Sequence, residues 1–276
     1  MVTAIPTITL NNGVEMPQVG FGVFQVPNQE ATYAVRSALK AGYRSIDTAA
    51  IYGNEEGVGK ALAESGIARE ELFITSKVWI ADMGYEQTLE AFDASLRRLG
   101  LDYLDLFLIH WPAPEKDLYV ETWKALEKLY AEKKIRAIGV SNFQPDHLDK
   151  LIAEGTIVPA VNQVELHPAL QNREVIAANG QHGIATEAWS PLAQGALLAD
   201  ETILEIAQAH QVTAAQVILR WHLQQGRVII PKSVTPSRIA ANLDLFGFEL
   251  SAAELASIDA LDSEGRTGPH PETFNG

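Results

Sequence analysis

The sequence predicts an α/β protein built as a closed (β/α)8 TIM barrel, with an N-terminal β-hairpin before it and a C-terminal tail over its mouth. Three observations predict this fold. Eight short apolar segments alternate with longer amphipathic ones. The chain has 276 residues, which suits a barrel of roughly 250 residues plus a hairpin and a tail. No Pro-rich, Ser-rich or low-complexity tract interrupts the alternation, so we expect a single domain, 1–276.

The elements follow in chain order. Residues 5–10 and 14–17 flank an Asn-Asn-Gly turn and form the predicted hairpin. The eight barrel strands are predicted at 19–23, 43–47, 72–77, 103–110, 135–141, 160–165, 184–190 and 228–231. Helices with apolar residues at three- and four-residue spacing are predicted at 29–41, 84–99, 117–133, 144–153, 172–181, 200–209 and 213–225. Asn54, followed by two glutamates, is expected to cap a further helix with its amide. A doubly wound open sheet is the alternative arrangement.

The composition excludes several classes of function. The chain has 35 acidic and 21 basic residues and a formal net charge of −14, which disfavours nucleic acid or an anionic membrane as the main partner. It has no cysteine, so disulfides, thiolate metal sites and thiol nucleophiles are excluded. The sequence shows neither a transmembrane run nor a signal-peptide pattern. We therefore expect a soluble, cytoplasmic protein.

Polar side chains end one predicted strand after another. Asp47, Lys77 and His110 end three consecutive strands. The later strands end in Ser141 with Asn142 and in Trp189 with Ser190, and the strand between these two has Gln163 near its end. Any one of these could simply mark where solvent begins. Together they indicate an active site at the barrel mouth, because burying an acid, a lysine and a histidine near one another is costly unless they pair.

Tyr52 completes this set, five residues after Asp47 in the following loop. A phenol has an ordinary pKa of about 10. An adjacent Lys77 ammonium would lower that pKa, and Asp47 would keep the lysine charged. Tyr52 would then donate a proton to a developing alkoxide, while His110 orients the carbonyl oxygen without changing charge. None of these side chains transfers hydride, and a nicotinamide cofactor would supply it.

The sequence has no Rossmann turn for the cofactor phosphates, so another part of the chain must bind them. The Gly-x-Gly segments at 20–22 and 57–59 lack the third glycine, and no P-loop occurs. The last predicted strand leads instead into Lys232, Ser233 and Arg238, ahead of a helix. The late loops of a barrel are a known phosphate position, and two cations suit a 2′-phosphate better than a bare ribose. The alternative is two solvated charges at the start of a helix.

Seven motifs then occur in order: GYRSIDTAAIYGNEEGVG, FITSKVW, LDLFLIHWP, IGVSNF, VNQVELHP, AWSPL and IPKSVTPSRIAANLDLF. In order and spacing they resemble the aldo-keto reductases, especially shorter bacterial members such as the 2,5-diketo-D-gluconate reductases, over residues 20–262. The resemblance implies a (β/α)8 barrel and reversible NADPH-dependent reduction of aldehydes and ketones. It also implies a catalytic tetrad of Asp47, Tyr52, Lys77 and His110, with Tyr52 as the general acid.

The same resemblance implies a cofactor site. Ser141, Asn142 and Gln163 would hold the nicotinamide carboxamide, and Trp189 would stack on the ring, where many relatives have tyrosine. The pyrophosphate residues would be Ser190, Leu192, Gln194 and Gly195. The residues around the adenosine 2′-phosphate would be Lys232, Ser233, Val234 and Arg238, with Asn242 also in the cofactor site.

The chain departs from the family pattern at two cofactor positions. Ala241 stands where many relatives have a glutamate that bonds the adenine amine, just before the asparagine equivalent to Asn242. Thr235 stands where some close relatives have a third basic residue. NADPH remains the expected cofactor.

Aromatic residues indicate the substrate pocket. Phe24, Trp79 and Trp111 fall just beyond strand ends, and the resemblance makes them pocket walls; core packing is the alternative, and is what we expect for Trp123 and Trp221. Segment 263–276 has too many Gly and Pro residues for a helix and is expected over the mouth; a disordered terminus is the alternative. No metal is expected, because Glu165 and His167 lack a third ligand at useful spacing.

The leading function is therefore a monomeric NADPH-dependent carbonyl reductase with a small-molecule substrate. Dicarbonyls, keto sugars and aromatic aldehydes all remain open as substrates. The alternatives are a cofactor-binding, non-catalytic regulatory protein of the same fold, similar to the potassium-channel β subunits, and a metal-dependent barrel hydrolase or isomerase.

Overall fold

Eight parallel strands form the centre of the protein in the computed structural model, which describes residues 5–276. The first four residues of the predicted 1–276 domain lie outside the described part. The hairpin consists of β1 (Thr7–Thr9) and β2 (Glu15–Pro17). The barrel strands are β3 (Phe21–Gly22), β4 (Ser45–Asp47), β5 (Phe73–Val78), β6 (Leu104–Ile109), β7 (Ile135–Ser141), β8 (Val161–Glu165), β9 (Ala185–Trp189) and β10 (Val228–Ile229). The predicted hairpin and all eight predicted strands are confirmed, and their ends differ from the predicted ones by two residues or fewer.

Helices follow the strands along the chain. They are α1 (Asn28–Ala41), α2 (Glu55–Ala63), α3 (Tyr85–Leu99), α4 (Tyr119–Ala131), α5 (Pro145–Glu154), α6 (Arg173–Gln181), α7 (Glu201–His210), α8 (Ala214–Gln224), α9 (Pro236–Ala241) and α10 (Ala252–Asp259). The seven helices predicted from periodicity are confirmed. The periodicity did not predict α10, although Ser251 and Glu254 form a capping box at its start, which is a sequence signal for a helix. Between residues 5 and 276, no helix is both long and apolar enough to span a bilayer.

The sheet closes on itself. Each barrel strand pairs with the next one in the chain, from β3 to β10. Val19 then bridges to Ile229, and the Ile229 carbonyl accepts a hydrogen bond of 2.8 Å from the backbone N–H of Gly20. At this seam a Cβ on Gly22 would lie 2.9 Å from the Ile230 carbonyl oxygen, so only glycine allows the close approach. The fold is the predicted (β/α)8 barrel and not the open sheet.

The hairpin closes the bottom of the barrel. Leu10 and Met16 are buried against Phe73, Leu106 and Leu108, which are side chains of the barrel strands. This apolar plug fills the end at which the strands begin. Polar chemistry is therefore confined to the opposite end, where the strands finish.

The main core lies between the barrel and the surrounding helices. Trp123 on α4 and Trp221 on α8 are fully buried in it, as predicted. Each indole N–H has an acceptor, the Ile157 carbonyl for Trp123 at 3.1 Å and the Asp259 carboxylate for Trp221 at 2.8 Å. Burial of both rings is thus achieved without leaving a donor unpaired.

The predicted side-chain cap at Asn54 is wrong. Asn54 stands at the start of α2, but its side chain makes no bond to the first turn of that helix. Its amide nitrogen donates instead to the carbonyls of Val23 and Val26, each at 2.9 Å, and its oxygen accepts from Thr48 at 2.7 Å. These bonds connect the loop after β3, which offers the two carbonyls, to Thr48 in the loop after β4, which offers its hydroxyl. Asn54 thereby holds together the two loops that carry Phe24 and Tyr52.

Candidate active site

The strand-end residues converge at the barrel mouth. Asp47 ends β4 and Lys77 lies near the end of β5, while His110 directly follows β6. Tyr52 ends a short 3-10 turn, Ala50–Tyr52, that follows β4. Lys77 is completely buried, and Asp47 and His110 are nearly so. The four residues predicted as the tetrad are thus brought to one place by four successive segments of the chain.

Lys77 and Asp47 form a buried ion pair. The Lys77 Nζ donates to Asp47 Oδ1 at 2.5 Å and to the Thr48 carbonyl oxygen at 3.0 Å. Burial by itself would lower the pKa of Lys77, but the charge of Asp47 and its hydrogen bond outweigh it, and the pKa lies above its ordinary value. Lys77 is therefore an ammonium at neutral pH.

The phenol of Tyr52 lies next to this ammonium. Lys77 Nζ is 5.2 Å from the centre of the Tyr52 ring. The expected lowering of the Tyr52 pKa by Lys77 is present, but burial raises the pKa more, and the net direction is upward. The sequence could not reveal this outcome, because it depends on how completely the barrel encloses the phenol. Tyr52 carries its proton at neutral pH.

His110 is a neutral imidazole. Burial and the nearby Lys77 charge hold the pKa of His110 well below its ordinary value. Its ring packs edge-on against Tyr52, with the ring centres 5.6 Å apart, and against Trp79, at 5.1 Å. Among the described residues, no group bonds its Nδ1. The ring is thus positioned by aromatic packing and remains uncharged, as the sequence suggested.

Asp47 has a second partner across the barrel. The amide nitrogen of Gln163, on β8, donates to Asp47 Oδ2 at 2.8 Å and to Glu187 Oε2, on β9, also at 2.8 Å. Glu187 is almost fully buried, and the sequence reading did not single it out. The sequence did contain a signal for Glu187. It lies two positions before Trp189 on the same strand, so the two side chains face the same side of the sheet.

A second polar group borders the tetrad. Asn142 donates from its amide to the His110 carbonyl at 3.0 Å and to Ser141 Oγ at 3.2 Å. Its oxygen accepts from the indole Nε1 of Trp189 at 2.8 Å. The Ser141 hydroxyl donates to the Gln163 carbonyl at 2.7 Å. The four residues predicted to hold and stack the nicotinamide thus form one connected group, in which the Trp189 indole is half-buried.

The residues predicted for the pyrophosphate lie in the loop that follows β9. Ser190, Leu192, Gln194 and Gly195 all belong to this loop, and a short 3-10 turn, Ala193–Gly195, runs through it. Ser190 and Gln194 have positive φ angles of 46° and 54°, which is unusual for residues other than glycine and indicates a tightly folded loop. Gln194 also donates to Thr267 Oγ1 at 3.3 Å, which joins the loop to the C-terminal segment.

The residues predicted for the 2′-phosphate lie in the loop after β10 and on α9. Lys232 and Arg238 are exposed, and neither pairs with a carboxylate anywhere in residues 5–276. Arg238 donates to Thr235 Oγ1 at 3.0 Å, and Ser233 Oγ accepts from the Thr235 backbone N–H at 3.1 Å. Val234 is exposed beside them and Asn242 is buried at the end of α9. Two unpaired cations on a chain of net charge −14 are well suited to an anionic ligand.

Aromatic side chains surround the opening above Tyr52. Phe24 is 53% exposed and its ring centre is 5.1 Å from that of Tyr52. Trp79 and Trp111 both contact Phe274, with ring centres 6.2 Å and 4.6 Å apart. The sequence analysis did not single out Phe274, because the segment it lies in has no periodic pattern. The C-terminal tail therefore contributes a fourth aromatic wall.

The tail lies over the barrel mouth, as predicted. Glu165, at the end of β8, accepts hydrogen bonds from the backbone N–H and hydroxyl of Thr267, both at 2.6 Å, and from the Gly268 N–H at 3.1 Å. Its carboxylate also bonds His167 at 3.1 Å. Gly268 packs on Trp189, and a Cβ there would lie 2.5 Å from the indole Cη2. Of the two residues that resembled metal ligands in sequence, Glu165 thus binds the tail and His167 bonds Glu165.

Comparison with known proteins gives the chain a family. The profile of the Aldo/keto reductase family matches residues 18–263. The chain belongs to this family. This aldo/keto reductase is 60% identical over 267 residues to the glyoxal reductase of Bacillus subtilis (strain 168), with 96% of both chains covered. It is 52% identical over 275 residues to the methylglyoxal reductase DkgA of Yersinia pestis, with 99% of both chains covered.

A solved structure agrees with the fold of this aldo/keto reductase. The crystal structure of a Gox0644 mutant in complex with NADPH has a TM-score of 0.95 and 46% sequence identity, with 99% of both chains covered. The predicted family, the barrel fold and the oxidoreductase class are confirmed.

Proposed function

We propose that this protein reduces the carbonyl groups of small aldehydes and ketones, with α-dicarbonyls as the preferred class, using NADPH. The observation that carries the proposal is the buried pair of Asp47 and Lys77 next to Tyr52 at the barrel mouth. Family membership supports the reaction class. The similarity to two reductases named for glyoxal and methylglyoxal supports dicarbonyl substrates.

The donors at the mouth fit NADPH. Lys232 and Arg238 supply unpaired cations for a 2′-phosphate, together with Ser233, Val234 and Asn242. Ser190, Leu192, Gln194 and Gly195 line the loop proposed for the pyrophosphate. Ser141, Asn142 and Gln163 supply amide and hydroxyl groups for a carboxamide, and Trp189 supplies a stacking face. When bound, NADPH supplies the hydride. The family and its NADPH-bound structural relative support this cofactor.

Tyr52 acts as the general acid in this proposal. Because burial raises its pKa, the phenol is protonated at neutral pH and gives its proton to the carbonyl oxygen as negative charge develops there. Lys77 lowers the Tyr52 pKa from the value that burial alone would produce, so it stabilises the phenolate that remains. Asp47 holds Lys77 in place and keeps it charged.

His110 serves as a neutral hydrogen-bond donor to the carbonyl oxygen. Its lowered pKa means that it brings no positive charge into the site. A neutral imidazole has one N–H. Its Nδ1 is buried without a described partner, which leaves Nε2 as the ring nitrogen that can face a ligand, and we assign the donating hydrogen to Nε2. Such a preorganised donor stabilises the oxygen most when it carries the developing charge.

The pocket walls favour compact carbonyl compounds with a flat or apolar portion. Phe24, Trp79 and Trp111 are the walls that the sequence predicted, and Phe274 adds to them from the tail. Aromatic faces accept small planar groups by stacking and exclude water from the reacting carbon. Methylglyoxal and phenylglyoxal fit this description.

The test is NADPH oxidation followed by absorbance with methylglyoxal, phenylglyoxal, 2,5-diketo-D-gluconate and 4-nitrobenzaldehyde, with NADH in parallel. We expect turnover with NADPH, higher kcat/KM for the two dicarbonyls, and much weaker turnover with NADH. Arg238→Ala is the matched variant, and it should weaken NADPH use while leaving NADH use unchanged. Binding of NADPH without turnover of any substrate would support the non-catalytic alternative. A single domain, a monomeric state and a cytoplasmic location remain predictions.

A further inference from the structure

Glu187 is a buried carboxyl group that the proposed reaction does not use. It lies on β9 inside the barrel and is 1% exposed. Its strand neighbour in register on one side is Gln163, and on the other side it is Val228. A carboxyl group in such a place has a large desolvation cost, so its retention needs a physical reason.

The first reason lies in the orientation of Gln163. An amide nitrogen has two hydrogens, and the Gln163 nitrogen donates one to Asp47 and one to Glu187, each at 2.8 Å. Both donors are therefore used inside the protein, and the amide oxygen is the group left for a ligand. Without an acceptor at position 187, one hydrogen of the Gln163 amide would be unpaired, and one of the two bonds that fix the orientation of the amide would be lost.

The second reason lies in charge. The titratable groups that face Glu187 are Asp47 on β4, Lys77 on β5 and Tyr52 in the loop after β4, while β10 presents the apolar Val228. On β8, the carboxylate of Glu165 is occupied by His167 and the tail. Lys77 is already paired with Asp47. The carboxyl groups of Asp47 and Glu187 thus share the single ammonium of Lys77 in the buried interior of the barrel.

Glu187 therefore holds a proton near neutral pH. Burial and the Asp47 charge raise the pKa of Glu187 to about 8. When Glu187 ionises above that pH, its negative charge raises the pKa of Tyr52. Tyr52 consequently keeps its proton to higher pH than it would beside a neutral residue.

We propose that Glu187 is a positioning residue, which holds the Gln163 amide and the Asp47 carboxylate bonded to it and, by losing its proton, changes the charge beside Tyr52. The effect on turnover rests on the proposed function. The buried proton and the change in charge do not, because they belong to the protein without substrate or cofactor.

The decisive variant is Glu187→Gln, which keeps an acceptor for Gln163 but cannot ionise. The infrared spectrum of the wild-type protein at neutral pH should contain a protonated-carboxyl band that disappears on alkalinisation and is absent in Glu187→Gln. Glu90→Gln, at an exposed position on α3, is the control and should retain the band. A wild-type band that persists in Glu187→Gln, or no such band at all, overturns the proposal.

The effect of the Glu187 charge on Tyr52 is tested by ultraviolet titration of tyrosine, without cofactor or substrate. The curve of Tyr52→Phe is subtracted from that of wild type, and the curve of Glu187→Gln with Tyr52→Phe from that of Glu187→Gln, so that each difference is the titration of Tyr52. The Tyr52 midpoint should fall to lower pH in Glu187→Gln, as expected for the loss of a nearby negative charge. In active protein, the alkaline loss of kcat for reduction should move to lower pH by the same amount. Equal Tyr52 midpoints in the two proteins overturn the role in charge, whether or not any carbonyl compound is reduced.

The positioning role is tested by Glu187→Leu, which removes the acceptor. We expect at least a tenfold weaker binding of NADPH by fluorescence, with binding largely retained in Glu187→Gln. If Glu187→Leu does not fold, the infrared and titration measurements on Glu187→Gln still decide whether the proposal holds. Equal NADPH binding by folded Glu187→Leu and wild type overturns the positioning role.

Discussion

The indole N–H of Trp189 donates a hydrogen bond of 2.8 Å to Oδ1 of Asn142, across 47 positions of the sequence. This bond determines which way the Asn142 amide faces, because its nitrogen must then donate to the His110 carbonyl and to Ser141 Oγ. The proposed stacking residue and the proposed carboxamide residue are thereby set relative to each other by the protein alone. A preorganised site has less freedom to lose when a ligand binds.

Trp189→Phe keeps a stacking ring but removes the donor to Asn142. We expect the Kd for NADPH to rise about fivefold, which corresponds to the loss of one hydrogen bond of about 1 kcal/mol. Fluorescence titration measures it, with Trp221→Phe as a control far from the mouth. An unchanged Kd for Trp189→Phe would show that the bond contributes nothing to binding.

Tyr52→Phe removes the phenolic proton and keeps the ring that packs on His110 and Phe24. We expect kcat for carbonyl reduction to fall by at least about 10²-fold, as for loss of a general acid, while the Kd for NADPH stays within twofold of wild type. Steady-state kinetics and fluorescence titration measure the two quantities. A variant with normal kcat would refute the role of Tyr52.

Lys77→Met leaves Asp47 buried without its cation. We expect a loss of about 3–5 kcal/mol in the free energy of unfolding, because an unpaired buried charge is strongly unfavourable. The double variant Asp47→Asn with Lys77→Met should recover part of that stability but no activity. Urea denaturation measures stability, and Lys124→Met, which breaks only an exposed pair with Glu121, is the control. If the losses of unfolding free energy in Lys77→Met and in Asp47→Asn simply add up in the double variant, the two residues do not interact, which would contradict the pairing.

Phe274→Ala opens the wall that the tail builds against Trp111. We expect KM for phenylglyoxal to rise about fivefold, the value of an aromatic contact of about 1 kcal/mol, and KM for methylglyoxal to change less than twofold. Phe248→Ala, whose ring packs on His210 on another part of the surface, is the control. Equal changes for both substrates would mean that Phe274 does not select among them.

Acid should release the tail from Glu165. Burial would raise the pKa of Glu165, but bonds from His167, Thr267 and Gly268 outweigh it, so the pKa lies below its ordinary value of 4.5. A lowered pKa in the folded state means that Glu165 stabilises the docked tail above pH 4.5 and that this contribution is lost as pH falls below it. Limited proteolysis of residues 263–276 should accelerate over that range. Glu165→Gln should show fast cleavage already at neutral pH.

The site could be predicted in part because strand ends are visible in sequence. Asp47, Lys77 and His110 follow apolar runs, and parallel strands bring such positions to one end of a barrel. The bonds of Gln163 to Asp47 and Glu187 were not visible, because they cross the barrel interior between strands far apart in the chain. Asn54 showed the limit of a local rule, because the Thr48 hydroxyl occupies the amide oxygen that would have capped the helix, and the amide nitrogen bonds carbonyls of another loop.

The sequence by itself determined the alternation of strands and helices, the barrel, and the residues that stand at its mouth, because apolar periodicity and motif order are local properties of the chain. Only the tertiary structure decided the upward shifts in the pKa values of Tyr52 and Glu187 and the place of Phe274 against Trp111. These depend on how far water is excluded and on which distant groups meet, and both are set by packing in three dimensions.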